Sequence, residues 1–554
     1  MTRVARWKRG NATLWRVVDE WLAGGPPAQE LAESERRKVV RLRTDEGGDL
    51  VVKRFLPKRG VQRLIGVAQR GLALSSGQRE WRALSRLRSV GSNVPAPLAL
   101  ALLDDGGELL ISSFIEGTPL LECLAGAVPA RRRLLTALGD QVALLHASGV
   151  AHRDLHAGNF VVNAQGQPVL LDFQRARSTR SARARRKDLA AFDFSLSQAA
   201  LSVADRMRFR SAALGISGRA TDAERLTLRR VGLAATQHAT RHYRSRTRRC
   251  LRAGRLYAHL NIEGRTGLRL RSVPGEVIER ALAIHAAVQS GEGELSTLGS
   301  TLKRDQRSRV TATEVGGRAV VIKEVVKPGR GRLLADAFRG SPARRAWVGG
   351  HGLLARGIGA ATPLAFVEVR RLFIPVSSLL VLEDLRPARP ANEPDSASRN
   401  PDELAEALRR LAVRLHTRCV VHGDLQAPHI FLSQRGDSLE STLIDLEGVR
   451  FRRRLTDDER IQSLAELNAS IADDLLSPEQ RQLAFERYAQ VLPFGEGEAA
   501  RSERLAAEQK IVRRSLARRH LWKGEGCRVA ADARPGPPGP EQDSSATRPR
   551  GVRQ

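Results

Sequence analysis

The sequence predicts an α+β protein built from two tandem copies of one two-lobed domain. Three observations support this fold class. At 554 residues the chain is too long for one ordinary domain. Four segments recur in the same order, so that Lys53 and Asp154 are followed 270 positions later by Lys323 and Asp424. Within each copy, strand-like segments come first and helical patterns follow.

The strand-like part of each copy carries a lysine. Apolar runs bounded by Gly-containing turns, DEGGDLVVKRF and EVGGRAVVIKEV, predict hairpin strands that hold Lys53 and Lys323. The chain has 10 lysines and 82 arginines, so lysine at both equivalent positions argues against coincidence. An ammonium is a compact point charge that fits beside a phosphate in a confined cleft, whereas a guanidinium is bulky and forked.

A helix is predicted after each lysine strand, with Trp81 and Trp347 at matching positions. The first copy begins this block with Glu80, as EWRALSRLRSV, and the second begins it with Ala346, as AWVGGHGLLAR. The strand-like runs LLISSFIEG and LLVLEDL come next, and the rest of each copy is mostly helical by pattern. This order predicts a small sheet-rich lobe and a helical lobe, with a ligand in the crevice between them.

Polar residues lie between apolar runs in the helical half of each copy. LLHASGVAHRDLHAGNFVV (144–162) corresponds to RLHTRCVVHGDLQAPHIFL (414–432), and VLLDFQRAR (169–177) corresponds to TLIDLEGVRF (442–451). Unpaired polar groups are costly in apolar surroundings. The segments are therefore either polar turns or parts of a functional site, and their duplication favours a site.

Composition limits the partners and the location. The net charge of +32 favours an anionic partner such as nucleic acid, phospholipid or a phosphorylated ligand. Nucleic acid is the less favoured of these, because aromatic residues for base stacking make up only 4% of the chain. The four cysteines lie far apart, and the sequence has neither a signal peptide nor a long uncharged apolar run. We expect a cytoplasmic protein whose contact with membranes is at most peripheral, at the inner face of the inner membrane.

At these motifs the chain resembles the eukaryotic-protein-kinase-like fold. HRDLHAGN is similar to the catalytic loop H-R-D-x-x-x-x-N, LLDFQ to the metal-binding D-F-G segment, and VVK to the strand lysine. Glu80 stands where the helix glutamate of that fold belongs. More narrowly, EWRALSRLRSVGSNVPAP, DFQRAR, GDLQAPHIFL and LIDLEGVR resemble the lipopolysaccharide-core sugar kinases, the Kdo and heptose kinase group.

The resemblance implies a role for each of five residues in the first copy. Asp154 would act as the catalytic base, while Asn159 and Asp172 would hold Mg²⁺, a cation that prefers oxygen ligands. Lys53 would bind the α and β phosphates of ATP, with Glu80 paired to it. Phosphoryl transfer then depends on positioning and on neutralising charge around the terminal phosphate.

The second copy keeps only part of this set. Lys323, Asp424 and Asp445 remain as nucleotide-binding, catalytic and metal-binding candidates, but Ala346 replaces the glutamate and His429 replaces the asparagine. A neutral imidazole is a poor ligand for Mg²⁺, which favours a degenerate pseudokinase. The heptose-kinase branch carries a histidine there as well, so His429 also fits a lineage feature, and the activity of this copy stays open.

Neither copy has a glycine-rich phosphate loop of the G-x-G-x-x-G type. In the second copy the corresponding hairpin is basic, and Lys303, Arg304 and Arg307 either grip an anion or form a solvated tip. The segment after Asp172 also lacks the Ala-Pro-Glu of protein kinases, which dock peptides there. A carbohydrate or another small acceptor is therefore expected.

These observations predict two kinase-like domains, residues 1–245 and 246–524, and a Pro- and Gly-rich disordered tail at 525–554. The predicted function is ATP-dependent phosphorylation of a sugar hydroxyl on an anionic acceptor, the lipopolysaccharide core. Two alternatives stay open. One is a kinase for a protein or a soluble small molecule, and the other is a nucleotide-binding pseudokinase scaffold at a membrane or nucleic acid.

Overall fold

The chain forms two compact units, Met1–His242 and Tyr243–Gln554. The computed structural model describes residues 3–521 except 11, 25–28, 35–36, 44–47, 58–74, 198–200, 307, 326–335, 372–373, 394–399, 437 and 496–498. The predicted tail at 525–554 and Arg307 lie outside the described residues. No helix in the described ranges is long and apolar enough to cross a membrane.

The first domain opens with a six-stranded antiparallel sheet and two helices. The strands are β1 (Val4–Arg9), β2 (Gln29–Ser34), β3 (Arg37–Leu42), β4 (Leu50–Phe55), β5 (Pro97–Leu103) and β6 (Glu108–Ser113), in the order β1-β5-β6-β4-β3-β2. Helices α1 (Ala12–Leu22) and α2 (Ser76–Ser89) accompany the sheet.

Both faces of this sheet are covered, and the two faces have different neighbours. On one face Val52 of β4 packs in a cluster with Val18 of α1. On the other face Leu110 of β6 packs with Leu84 of α2. Because neighbouring residues of a strand point to opposite faces, Lys53 lies on the face that α2 covers. The strand alternation therefore directs the lysine towards the helix that carries Glu80.

The rest of the first domain is mainly helical. Its helices are α3 (Leu120–Leu124), α4 (Val128–Ala147), α5 (Ala182–Ser197), α6 (Val203–Ala213) and α7 (Asp222–Arg249), the last of which contains the boundary between the two units. Short strands border the polar loops: β7 (Thr118–Pro119), β8 (Val150–Ala151), β9 (Phe160–Val162), β10 (Pro168–Leu170) and β11 (Arg177–Ser178). These pairs fix both ends of the segment that contains Asp154 and Asp172.

The second domain repeats the arrangement. Its sheet consists of β12 (Tyr257–Ile262), β13 (Arg265–Leu270), β14 (Gly299–Arg304), β15 (Ser308–Val315), β16 (Arg318–Val325), β17 (Pro363–Arg371) and β18 (Ile374–Glu383), in the order β12-β13-β17-β18-β16-β15-β14. Helices α8 (Gly275–Ser290) and α9 (Pro342–Leu354) accompany this sheet. The helical part contains α10 (Pro401–Thr417), α11 (Asp457–Ala469), α12 (Pro478–Val491) and α13 (Ala500–Leu521). The short strands are β19 (Arg389–Pro390), β20 (Val420–Val421), β21 (Ile430–Arg435), β22 (Ser438–Leu443) and β23 (Arg450–Phe451).

Topology confirms the predicted α+β fold and its duplication. Removing β12 from the second sheet leaves the strand order of the first, with β13, α8 and β14 in the places of β1, α1 and β2. The helix caps also correspond, because the Ser75 hydroxyl accepts from Gln78 N at the start of α2 and the Ser341 hydroxyl accepts from Arg344 N at the start of α9. Glu80 and Ala346 therefore occupy the same helical position.

A close helix crossing in the first domain gives a test of the packing. A Cβ atom added to Gly139 of α4 would lie 2.8 Å from both Phe209 O and Ala213 N of α6, which are backbone atoms that cannot rotate away. We expect Gly139→Ala to lower the free energy of unfolding by about 1–3 kcal/mol through overpacking. The measurement is urea denaturation of the full chain, followed by circular dichroism.

Gly232→Ala in α7 is the matched control. The added Cβ would meet only the terminal atoms of Arg210, a flexible side chain, at 3.2 Å or more. Alanine is the better helix former by about 1 kcal/mol, so this variant should be neutral or stabilising. Equal destabilisation by both substitutions would contradict the proposed crossing.

Candidate active site

The strand lysine of the first domain pairs with the helix glutamate. Lys53 Nζ lies 2.5 Å from Glu80 Oε1, and the Glu80 side chain is only 1% exposed. The same carboxylate oxygen accepts a hydrogen bond from the backbone N–H of Phe173 at 3.3 Å. One carboxylate thus connects β4, α2 and the loop that carries Asp172.

Asp172 lies beside this pair and receives two further positive contacts. Its Oδ1 is 4.0 Å from Lys53 Nζ. Arg37 Nη1 donates to both of its oxygens, at 3.0 and 2.9 Å. Burial acts to raise the pKa of Asp172, but the charges of Lys53 and Arg37 outweigh burial and hold the pKa below its ordinary value. The carboxylate is therefore ionised near neutral pH, the state in which it can bind a cation.

The catalytic-loop candidates are joined through the backbone. Asn159 ends a short 3₁₀ turn, and its Nδ2 donates to Asp154 O at 2.9 Å. The backbone N–H of Leu171 donates to Asn159 O at 2.8 Å, which connects this loop with the loop of Asp172. With its NH₂ group bound to Asp154, Asn159 offers its amide oxygen to a cation. Amide and carboxylate oxygens from Asn159 and Asp172 fit the preference of Mg²⁺.

A buried carboxylate that the sequence analysis missed holds the catalytic loop. Asp188 on α5 accepts from the backbone N–H groups of His152, at 2.7 Å, and Arg153, at 2.8 Å. Arg153 has a φ of 66°, a left-handed conformation that is unfavourable for a residue with a Cβ. His152 Nε2 lies 3.1 Å from Leu171 O, and burial lowers the pKa of this histidine, so the neutral ring braces the loop.

Arg37 is the second functional candidate that the sequence analysis missed. It begins β3 and pairs with Ser34, the last residue of β2, at the end of the β2-β3 hairpin where protein kinases carry their glycine-rich loop. Its guanidinium nevertheless reaches Asp172, which is 135 positions away in the chain. Since the chain has 82 arginines and few of them have a local motif, no sequence pattern singles out this one.

The surface next to Asp154 is basic. Arg175 Nη1 lies 3.4 Å from Asp154 Oδ2, and the Arg175 side chain is 64% exposed. The segment 173–187 contains no acidic residue. Its other exposed cations are Arg177, Arg180, Arg183, Arg186 and Lys187. A negatively charged acceptor would meet favourable charge on this side of the loop.

The second domain brings its lysine to the other carboxylate. Lys323 Nζ lies 2.5 Å from Asp445 Oδ1, and the position of Glu80 is held by Ala346, which is buried. Burial acts to raise the pKa of Asp445, but the charge of Lys323 outweighs it and the pKa lies below its ordinary value. Asp445 has the left-handed backbone of Asp172, with φ of 54° and 59° respectively.

Two other contacts of the first domain have changed in the second. Strand register places Ser308 where Arg37 stands, because Arg37 pairs with Phe55 and Ser308 with Val325, each two residues beyond the lysine. Gly448 stands in the place of Arg175. At the hairpin tip, Lys303 is 62% exposed and pairs with Asp305 at 3.0 Å, and both interpretations of this basic tip stay open.

A strand lysine, a helix glutamate and a loop aspartate in this arrangement define a protein-kinase-like phosphotransferase. A sequence model of the lipopolysaccharide kinase (Kdo/WaaP) family matches residues 25–212 and 332–488, more than half of the chain. The chain therefore belongs to the lipopolysaccharide kinase (Kdo/WaaP) family and is an ATP-dependent kinase. The second match begins after Lys323.

Comparison with solved structures gives a weaker likeness. The structure "WaaP in complex with acyl carrier protein" is similar over 38% of this chain and 90% of that chain, at 21% identity and a TM-score of 0.31. At that TM-score the assignment rests on the two sequence matches. No curated protein matches the chain.

The Asp188 brace gives a test of loop positioning. We expect Asp188→Ala to lower the free energy of unfolding by about 2–4 kcal/mol, because it leaves the buried backbone N–H of His152 and the partly buried N–H of Arg153 without their acceptor. The turnover number should fall, while KM for ATP changes little, because Asp188 touches the loop backbone. The measurements are urea denaturation and steady-state kinetics.

Arg153→Gly in the Asp188→Ala background is the diagnostic second variant. Glycine adopts the left-handed conformation without strain, so this change should restore about 1 kcal/mol. With Asp188 intact, Arg153→Gly should raise the free energy of unfolding by less than it does in the Asp188→Ala background. A double-mutant cycle measures this difference. Strictly additive effects would show that Asp188 does not hold this backbone conformation.

Proposed function

We propose that the first domain transfers the terminal phosphoryl group of ATP to a hydroxyl of an anionic sugar in the lipopolysaccharide core. The observation that carries the proposal is the Lys53–Glu80 pair at 2.5 Å with Asp172 at 4.0 Å from the same ammonium. Family membership supports the kinase chemistry and the sugar acceptor. The roles proposed for the residues of the first domain are nucleotide binding and orientation of the acceptor.

The nucleotide is bound by cations from the sheet. Glu80 fixes the ammonium of Lys53, which binds the α and β phosphates. Arg37 supplies a forked donor pair at the hairpin, where a glycine-rich loop would otherwise offer backbone N–H groups. Asn159 and Asp172 would hold a Mg²⁺ ion, which would neutralise phosphate charge.

Asp154 orients the acceptor. Its carboxylate accepts the hydrogen bond of the attacking hydroxyl and then its proton, as the oxygen forms a bond to the terminal phosphorus and the bond to the β-phosphate oxygen breaks. ADP leaves, and the proton passes from Asp154 to solvent. Arg175, 3.4 Å from Asp154, contacts a negative group of the acceptor. The net charge of +32 suits an acceptor at an anionic membrane surface.

We propose that the second domain does not carry out this transfer. Lys323 is bound to Asp445, and no glutamate is present at the position of Ala346 to draw the ammonium away from it. The equivalents of Arg37 and Arg175 are Ser308 and Gly448, which carry no charge. The second domain thus has fewer positive groups to bind the phosphates of ATP and none at the position of Arg175 to contact the sugar.

Asp154 and its counterpart Asp424 give the direct test. We expect Asp154→Asn to lower phosphoryl transfer at least about a hundredfold, because an amide cannot accept the proton. Asp424→Asn, the matched change in the second domain, should leave transfer unchanged. The assay follows labelled phosphate from ATP into deacylated core oligosaccharide, a generic protein substrate, or no acceptor.

Each assay outcome has a distinct meaning. Full transfer by Asp154→Asn would refute the assignment of the base. Loss of transfer only in Asp424→Asn would move catalysis to the second domain. ATP binding without transfer to any acceptor would favour a nucleotide-binding scaffold.

Arg37 gives a separate test of nucleotide binding. We expect Arg37→Ala to raise KM for ATP about ten- to hundredfold, the equivalent of about 1.5–3 kcal/mol for a hydrogen bond to a charged group. Lys38→Ala is the control, because it also removes one positive charge from β3. The Lys38 side chain pairs with Glu30 at 3.1 Å and not with Asp172. An unchanged KM together with tighter Mg²⁺ binding would instead show that Arg37 only competes for Asp172.

A further inference from the structure

The second domain contains a three-residue cluster with the donors of a metal site. Asp424, His429 and Asp445 each place one ligand atom within 4.8 Å of the others, and all three side chains are partly buried. Asp445 uses Oδ1 for Lys323 and has its Oδ2 3.9 Å from His429 Nε2. One carboxylate oxygen therefore faces the imidazole while the other holds the ammonium.

His429 reproduces the bonding of Asn159 with a different donor atom. In the first domain Asn159 Nδ2 donates to the backbone oxygen of Asp154 at 2.9 Å. In the second domain His429 Nδ1 lies 3.0 Å from the backbone oxygen of Asp424 and 3.5 Å from its Oδ2. A carbonyl oxygen only accepts, so Nδ1 carries the hydrogen in this contact, and in the neutral ring Nε2 carries the lone pair. The atom directed at Asp445 is then a nitrogen donor, where the asparagine offers oxygen.

This hydrogen bond is typical of metal-binding histidines. The ring nitrogen that does not bind the metal usually donates to a carboxylate or a backbone carbonyl, which fixes the tautomer and the ring orientation. A second ring contact, between His422 and His429, has a centroid distance of 6.4 Å. The two ring nitrogens of His422 lie 3.0 Å from Asp424 O and 3.0 Å from Ile444 O, and the neutral ring donates to one of these oxygens.

We propose that the second domain binds a divalent transition ion in preference to Mg²⁺, through His429 Nε2 and the carboxylates of Asp424 and Asp445. A nitrogen donor favours Mn²⁺, Co²⁺ and Zn²⁺, in the usual order of rising affinity, over the hard Mg²⁺ ion. The first domain, with oxygen donors alone, keeps the ordinary preference for Mg²⁺. The chain thus carries two metal sites of different selectivity, and this inference does not depend on transfer by the first domain.

The test uses Mn²⁺ alone as the probe, on full-length protein from which metals have been removed with a chelator. Pulsed electron paramagnetic resonance detects the ¹⁴N coupling of an imidazole bound directly to Mn²⁺. We expect this coupling in the wild type and its loss in His429→Asn, which gives the second domain the oxygen donor of the first. Asn159→Ala is the matched control in the first domain, and it should keep the coupling.

A competition titration measures selectivity on the same samples. The Mg²⁺ concentration that displaces half of the nitrogen-coupled Mn²⁺ should be at least about tenfold higher than that needed for the Mn²⁺ bound by His429→Asn. Should His429→Asn fail to fold by circular dichroism, His429→Gln gives the same oxygen donor with a longer side chain.

Two results would overturn the inference: wild type without ¹⁴N coupling, or coupling that survives in a folded His429 variant. Loss of the coupling in Asn159→Ala would likewise place the nitrogen ligand elsewhere. Phosphoryl transfer is measured in parallel, so that a failure of the proposed catalysis is seen separately from a failure of this metal site.

Discussion

The ion pair between Lys53 and Glu80 is the contact on which the first active site depends. The lysine comes from the sheet, the glutamate from α2, and the glutamate also accepts from the backbone of Phe173. The Glu80 carboxylate is 1% exposed, so leaving its charge unpaired would be costly. The pair therefore stabilises the sheet, the helix and the loop of Asp172 together. Asp172 and Arg37 then complete a network of two positive and two negative groups.

The two domains place different residues at the left-handed position of the loop before Asp154 and Asp424. Arg153 needs the buried acceptor Asp188 to hold a left-handed conformation, whereas its counterpart Gly423 adopts a φ of 87° without strain. The position equivalent to Asp188 is Ser463, as the matching contacts of Ala157 with Ser195 and of Ala427 with Ser470 show. Glycine at position 423 accompanies the loss of this carboxylate, and in the second domain the buried Glu466 of α11 instead accepts from the backbone N–H of Leu425, at 3.3 Å.

Much of this fold was predictable from sequence because its polar loops and lysine strands carry local patterns. HRDLHAGN and LLDFQ each fit within a few residues, so their order and duplication could be read directly. Arg37 and Asp188 could not be found in this way. Arg37 lies 135 positions from Asp172 and Asp188 lies 36 positions from His152, and neither contact belongs to a local sequence motif. The sequence analysis also missed that β1, α1 and β2 are repeated as β13, α8 and β14. Such strands need only alternating apolar residues, so the two copies share no recognisable motif.

The helix next to the second sheet is fixed by packing where the first uses charge. Added Cβ atoms at Gly349 and Gly352 of α9 would overlap the backbone oxygen of Leu446 and the ring of Phe451. Glycine at these positions lets the helix approach the loop of Asp445 directly. The equivalent residues of α2 are Ala83 and Arg86, and there Glu80 makes the connection. Because no glutamate is present to bind its ammonium, Lys323 pairs with Asp445. The loop of Asp445 is held in place by close packing of backbone and apolar groups.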